Sequence, residues 1–276
     1  MPAFVGSQSQ AGPVTGAFVG TVSQIDPDAQ AYINTSGATD VTGINQFVLG
    51  VKALGLWTSF VCWPLRSSQS AGTGTVAYSL GGLGTFNGTL VNGPTWGADG
   101  VSFVRTSTQH ITTLMQLGGT IDFSFFLVGT PNDDGGGAGG QISFLGTRNS
   151  PITTTVCTLF ADSGADNITS SFVITPTPSQ ARPAGALTVL SVFQPATPLV
   201  RQSVNSGAFV DAIPSSSPAG ATQPALYIGA QGPLLGDRGY NGSLAFAAAF
   251  SQNVASYLSA LPAVYKSTLG IGLSLP

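Results

Sequence analysis

Asn87-Gly-Thr-Leu-Val-Asn-Gly-Pro-Thr-Trp96, continued by Gly97-Ala-Asp99-Gly100-Val-Ser-Phe103, is the stretch whose reading decides the fold. Thr89, Leu90 and Val91 are residue types enriched in strands. Asn92-Gly93-Pro94 breaks that run, and Thr95-Trp96 resumes it. Asp99-Gly100 supplies a positive-φ position for a tight reversal. Val101 and Phe103 then alternate with Ser102, so one face of this strand is buried and the other is not. The residues by themselves predict short antiparallel strands paired as a hairpin around a turn.

Working outward, the same period recurs along most of the chain. Strands are predicted at 60–65, 76–80, 85–91, 101–104, 121–128, 141–145, 153–160 and 168–174, then at 187–193, 200–204, 208–213, 225–229 and 243–250. Gly-, Pro- and Ser-rich turns separate them, a spacing that fits a two-sheet sandwich. Phe125-Phe-Leu-Val128 is apolar on both faces, as expected of a central strand covered on each side. Val101, Phe103, Phe123, Phe125 and Phe246 are the expected core.

Helices are predicted at both ends. Asp26 caps the first, with Pro27 at its first position and Gly37 as its stop. Asp40 or Thr39 opens the second, whose apolar stripe is Val41, Ile44, Phe47, Val48, Val51 and Leu54, stopped by Gly55. Ser251 and Pro262 head two more, ended by Gly270. Residues 1–25 show no periodicity and no charge before Asp26. They read either as an arm that orders against a partner or as a disordered tail.

The quoted stretch resembles the N-terminal strands of concanavalin-A-like, laminin-G-like jelly-roll domains. Those carry an Asn-Gly-Thr-Leu strand, a Pro-Thr-Trp strand and an apolar strand ending in Phe. Gly239-Tyr240-Asn241-Gly242-Ser-Leu-Ala-Phe246 resembles the late strand of the same family. After Phe103 the family has an acidic residue and a Gly, where this chain has Val104-Arg105-Thr106, so no ligand or metal role is carried over there. The resemblance implies a mainly β protein, a two-sheet antiparallel jelly-roll sandwich with short N- and C-terminal helices. Its parts would be an arm (1–25), a helical lead-in (26–56), the sandwich (57–250) and a helical segment (251–276). The order helix pair, sandwich, helix pair, with Trp57 just before the first strand, resembles structural proteins of bacteriophages. It implies a virion surface protein of the tail fibre, tail tip or head spike, contacting host glycans. The alternative it leaves open is a capsid decoration or tail protein that binds only other virion chains. The implied partners are other virion proteins and copies of itself.

Composition narrows the choice. Charged residues are 7% of the chain and hydrophobic residues 42%. A surface of hydroxyls and glycines repels its neighbours weakly and suits packing into an assembly. The net charge of −3, with no basic cluster, argues against nucleic acid. No apolar run is long enough for a membrane span. The start has neither a basic n-region nor an apolar h-region, so the expectation is assembly in the host cytoplasm without a Sec signal peptide. Cys62 and Cys157 both sit in apolar or β-branched runs and read as buried free thiols.

The candidates for chemistry are few. All eleven acidic residues are Asp, with no Glu, and His110 is the single His. Glycosidic cleavage generally needs two carboxylates about 5–9 Å apart, and no Asp-x-Asp falls on a predicted strand. His110 reads as a polar residue on the outward face or edge of a strand. The expectation is therefore no enzymatic activity, with a glycan hydrolase as the less favoured alternative. The loops 131–140 and 161–167 flank two strands and would meet at one end of a meander. They would bring Asp133, Asp134, Asp162 and Asp166 together as a calcium site; the competing explanation is that Asp and Gly simply build turns. No other cofactor is expected. Trp57, Trp63 and Trp96 read as core residues. Tyr240, beside Asp237, Arg238 and Asn241, is the candidate stacking residue of a glycan site, with turn-building as its other role.

Overall fold

Pro27 cannot donate a backbone hydrogen bond, and at the head of a helix none is needed. There Asp26 Oδ1 accepts from the Asp28 amide at 3.0 Å, and α1 runs Pro27–Ser36 until Gly37, at φ 67°, turns the chain out. Asp40 caps α2 (Val41–Ala53) in the same way, its Oδ1 accepting from the Gly43 amide at 3.0 Å. These ends fall where the sequence places them. The computed structural model describes residues 24–116, 121–132, 141–148, 155–162, 167–172, 178–213, 225–232 and 239–276.

After a 3₁₀ turn at Trp57–Ser59 the chain becomes strands. They begin with β1 (Phe60–Pro64), β2 (Val76–Ala77), β3 (Gly88–Val91), β4 (Thr95–Gly97) and β5 (Gly100–Phe103). Next come β6 (His110–Gln116), β7 (Phe123–Pro131), β8 (Gln141–Arg148), β9 (Thr155–Asp162) and β10 (Asn167–Phe172). The remainder are β11 (Ser179–Ala181), β12 (Leu187–Gln194), β13 (Leu199–Val204), β14 (Val210–Ala212), β15 (Ala225–Ile228) and β16 (Gly242–Phe250). The first sheet has the order β14-β13-β12-β7-β16-β5-β4, with β1 also paired to β16. The second has the order β11-β10-β9-β8-β15-β6-β3-β2. The pairings among the described strands are antiparallel.

The opening stretch folds differently from a simple hairpin at Asn92–Pro94. β3 belongs to the second sheet and β4 to the first. Asn92 and Gly93 both adopt positive φ (61° and 72°), and two such residues before a proline send the chain across the sandwich. The hairpin is the next one, β4–β5, closed at Gly97↔Gly100 with Gly100 at φ 133°.

One core lies between the sheets, built from Val101, Phe103, Phe123, Phe125, Leu127, Phe144 and Phe193 among others. A second covers the outer face of the first sheet, where Phe126, Val128, Phe246 and Phe250 meet Phe47 and Val51 of α2. α3 (Ala260–Ser267) closes it with Leu261 and Tyr265. β7 therefore is covered on each side, as its run of apolar residues predicts. A bulge between Leu244 and Phe246 puts Ala245 and Phe246 together on the helical side, while Leu244 and Ala247 face the other sheet. The two sheets also share a buried polar clamp. Ser170 of β10 bonds Ser191 of β12 at 2.7 Å and donates to Gln202 of β13, whose Nε2 donates to the Ile168 carbonyl at 2.7 Å.

Three expectations need correction. Ser251 heads no α-helix: the chain makes a 3₁₀ turn at Ala255–Tyr257, and Pro262 lies inside the first turn of α3, where its missing N–H costs nothing. β6 and β11 were not expected, because Thr112 and Thr113 in β6 obscure its alternation. Thr113 is nevertheless fully buried, its hydroxyl donating to the Leu226 carbonyl at 2.8 Å. His110 faces neither solvent nor a sheet edge. It is 4% exposed in a strand flanked by β15 and β3, its Nδ1 donating to the Thr108 carbonyl at 2.9 Å.

Candidate functional site

Helical spacing places Asp28, Ala31, Tyr32 and Thr35 on one side of α1, since positions three and four apart are neighbours. Facing them is the segment from Tyr78 to Asn87, with Trp57 between. This segment is pinned rather than loose. Leu80 exchanges two backbone hydrogen bonds with Cys62, each 2.8 Å, and the Gly82 amide donates to the Trp57 carbonyl at 3.1 Å. The Asn87 Oδ1 accepts from the Ser79 amide (2.9 Å) and hydroxyl (3.2 Å), and the Ser79 hydroxyl accepts from the Phe86 amide at 2.8 Å. Between the two walls is an open cleft of about 250 Å³, lined by Asp28, Tyr32, Trp57, Tyr78, Ser79 and Asn87 among others.

Its chemistry is that of rings set among hydrogen-bonding groups. Trp57 and Tyr78 are half-buried, whereas Tyr32 is buried and donates to the Gln69 carbonyl at 2.7 Å. Burial pushes the Tyr32 phenol up, so it stays protonated. Asn87 spends its oxygen on Ser79, and its amide hydrogens remain as donors. The charges beside Trp57 are mutually satisfied. Lys52 Nζ lies 2.7 Å from Asp26 and 2.6 Å from Asp28, and 5.1 Å from the centre of the Trp57 ring.

That ion pair gives a pH-dependent contribution. Burial alone would raise the Asp26 carboxyl, but the hydrogen bond and charge of Lys52 outweigh it, and the net shift is downward. Burial works against the Lys52 charge too, yet its bonds to Asp26 and Asp28 leave it raised. A depressed carboxylate stabilises the fold above its ordinary value of 3.8, and the contribution is lost as pH falls through the lowered value. The raised Lys52 contributes below its ordinary value and loses its effect only in strong alkali. Asp26→Asn retains an N-cap acceptor but not the pair, so thermal melts should show a cost of up to about 1 kcal/mol at pH 7. That difference should close below about pH 4, and a difference unchanged at acid pH would disprove the assignment.

The residues singled out from sequence fare differently. Tyr240 is no stacking platform. It is fully buried, 5.9 Å from the Phe103 ring and 5.0 Å from that of Phe144, with its hydroxyl donating to the Ser243 carbonyl at 3.2 Å. Burial pushes its phenol up as well. The sequence reading missed that the turn at Asn241-Gly242 directs this ring inward between the sheets. Asn241 is half-buried, and its carbonyl accepts from the Asn132 amide at 3.0 Å. Asp237, Arg238, Asp133, Asp134 and Asp166 lie outside the described residues. Asp162 ends β9 opposite Gln141 and Asn167, so the strand ends flanking the two Asp-rich loops adjoin. Among the described residues no group of three or more His, Cys, Asp or Glu could hold a metal ion. Cys62 is a buried free thiol, raised by burial.

Of the tryptophans, Trp63 alone is a core residue, its indole donating to the Phe86 carbonyl at 2.8 Å. Trp57 and Trp96 are half-buried. For Trp57 the sequence held one signal: it sits between a helix stop at Gly55 and the polar pair Thr58-Ser59, at a joint and not within an apolar run.

Two antiparallel sheets packed face to face, with helices over one of them, define a jelly-roll β-sandwich. Solved structures match it in fold. A mutant of Trypanosoma rangeli sialidase displaying trans-sialidase activity is 9% identical, with a TM-score of 0.58 over 87% of this chain and 38% of that one. The Trypanosoma rangeli sialidase in complex with 2,3-difluorosialic acid, a covalent intermediate, is 10% identical, with a TM-score of 0.56 over 77% and 33%. The same sialidase in complex with sialic acid is 12% identical, with a TM-score of 0.54 over 83% and 39%. This chain thus spans less than half the length of these sialidase chains. No protein-family model and no curated protein matches it. The likeness shows the fold, and it corrects one expectation. The matching chains named above are sialidases, which are glycosidases, so the expectation of no enzymatic activity, drawn from the missing Glu and single His, does not stand.

Proposed function

We propose that this protein contacts glycans through the cleft between α1 and the Tyr78–Asn87 segment, as the lectin-like sandwich of a virion surface protein. The observation that carries the reading is the company kept by Trp57 and Tyr78. Two half-buried rings stand beside a carboxylate, an amide donor and hydroxyls, the combination that grips the apolar face and polar edge of a sugar. A sialidase structure of matching fold that holds sialic acid supports the same class of ligand. The place of display rests on the order of helices and sandwich read in the sequence, and labelled antibody decorating purified particles tests it.

Titration with a glycan panel, followed by tryptophan fluorescence and calorimetry, is the direct test. Trp57→Ala should weaken binding by about tenfold or more, in line with loss of one stacked ring. Trp96→Ala, at a half-buried ring that does not line the cleft, should leave it unchanged. Binding that survives Trp57→Ala and Tyr78→Ala together would move the site elsewhere and defeat the proposal. The same samples report turnover, read as release of sugar, which would make the contact catalytic.

A further inference from the structure

We infer that the cleft selects an uncharged saccharide over an acidic one, with Asp28 as the acceptor of its hydroxyls. This rests on the glycan reading above and specifies its ligand class. The argument is one of charge. Among the described residues lining the cleft, Asp28 is the only one carrying a charge at neutral pH, and that charge is negative. The nearest cation, Lys52, is already held by Asp26 at 2.7 Å and Asp28 at 2.6 Å, and it stands over one face of the Trp57 ring, 5.1 Å from its centre. A carboxylate-bearing sugar entering here would meet Asp28 with no unspent cation among the described lining residues to offset it. Two like charges a few ångströms apart near a protein surface repel, which is enough to reverse a weak preference.

An uncharged ring meets the opposite situation. A carboxylate only accepts hydrogen bonds, and sugar hydroxyls donate them; Asp28 uses Oδ2 for Lys52 and retains Oδ1. The Asn87 amide supplies a donor for a ring or hydroxyl oxygen. The Tyr78 hydroxyl makes no hydrogen bond within the described residues and can serve as either. Thr85 adds an exposed hydroxyl at the rim, and Thr35, whose hydroxyl donates to the Ala31 carbonyl at 2.9 Å, adds an exposed acceptor. The lining thus matches a ring of alternating donors and acceptors and offers no match for a carboxylate. In this respect the cleft differs from what the sialic acid complex of matching fold would lead one to expect.

The test compares lactose with 3′-sialyllactose, and glucose oligomers with their glucuronate counterparts, on the intact chain. Neutral probes should bind about tenfold or more tightly than their acidic partners, and added salt should narrow the gap by screening. Asp28→Asn should narrow it at low salt. Thr35→Lys, on the exposed face of α1, should favour the acidic probes while leaving the thermal melt in place. Acidic probes binding as tightly as neutral ones, with a fluorescence change lost in Trp57→Ala, would overturn the inference and leave the glycan reading standing. If no saccharide binds, the glycan reading itself falls, and this inference falls with it.

Discussion

Phe246→Ala is expected to cost about 3–5 kcal/mol, the range for truncating a fully buried phenylalanine. Phe246 is 0% exposed and stands where α2, α3 and the first sheet meet. Its ring lies 5.5 Å from that of Phe47, 5.8 Å from Phe126 and 4.8 Å from Tyr265. Neighbours on three separate elements cannot all relax into the void, so most of the cavity would persist. Thermal melting should show a fall of roughly 10 °C. Phe246→Leu, which refills most of the volume, should cost less. A change within about 0.5 kcal/mol for Phe246→Ala would mean that the helices do not pack on this sheet in solution.

Gly100→Ala is expected to be the other damaging substitution, at about 3 kcal/mol or more. Two effects add there. At φ 133° an L-residue is strained, and a Cβ would run into the Leu244 carbonyl and lie 2.7 Å from the Ala245 nitrogen. These are backbone atoms of β16, so β5 and β16 would have to part. Gly93→Ala is the internal comparison. It also has positive φ (72°), but a Cβ there meets nothing within 4 Å, so its cost is the left-handed penalty of about 1–2 kcal/mol. Chemical denaturation of the two variants measures the difference, and equal costs would rule out the close approach of the strands.

What the sequence itself determined is local. Asp26, Pro27 and Gly37 bound α1, and Asp40 and Gly55 bound α2, because caps act through bonds only a few residues long. Alternation set most strands, and the double-sided apolar run at Phe125–Val128 announced a layer on each side of β7. Tertiary structure decided the rest. β3 and β4, adjacent in sequence, part into different sheets because the Asn92-Gly93 backbone is left-handed, which residue type permits but does not require. Tyr240 turned inward and Trp57 stayed at the surface, the reverse of their expected places. Ring burial depends on what faces the ring, and Phe144 and Asp28 arrive from distant parts of the chain. The cleft has the same origin: α1, Trp57 and the Tyr78–Asn87 segment each read as ordinary structure alone. Only the packing of the N-terminal helices against the first sheet brings their polar groups and rings to one place.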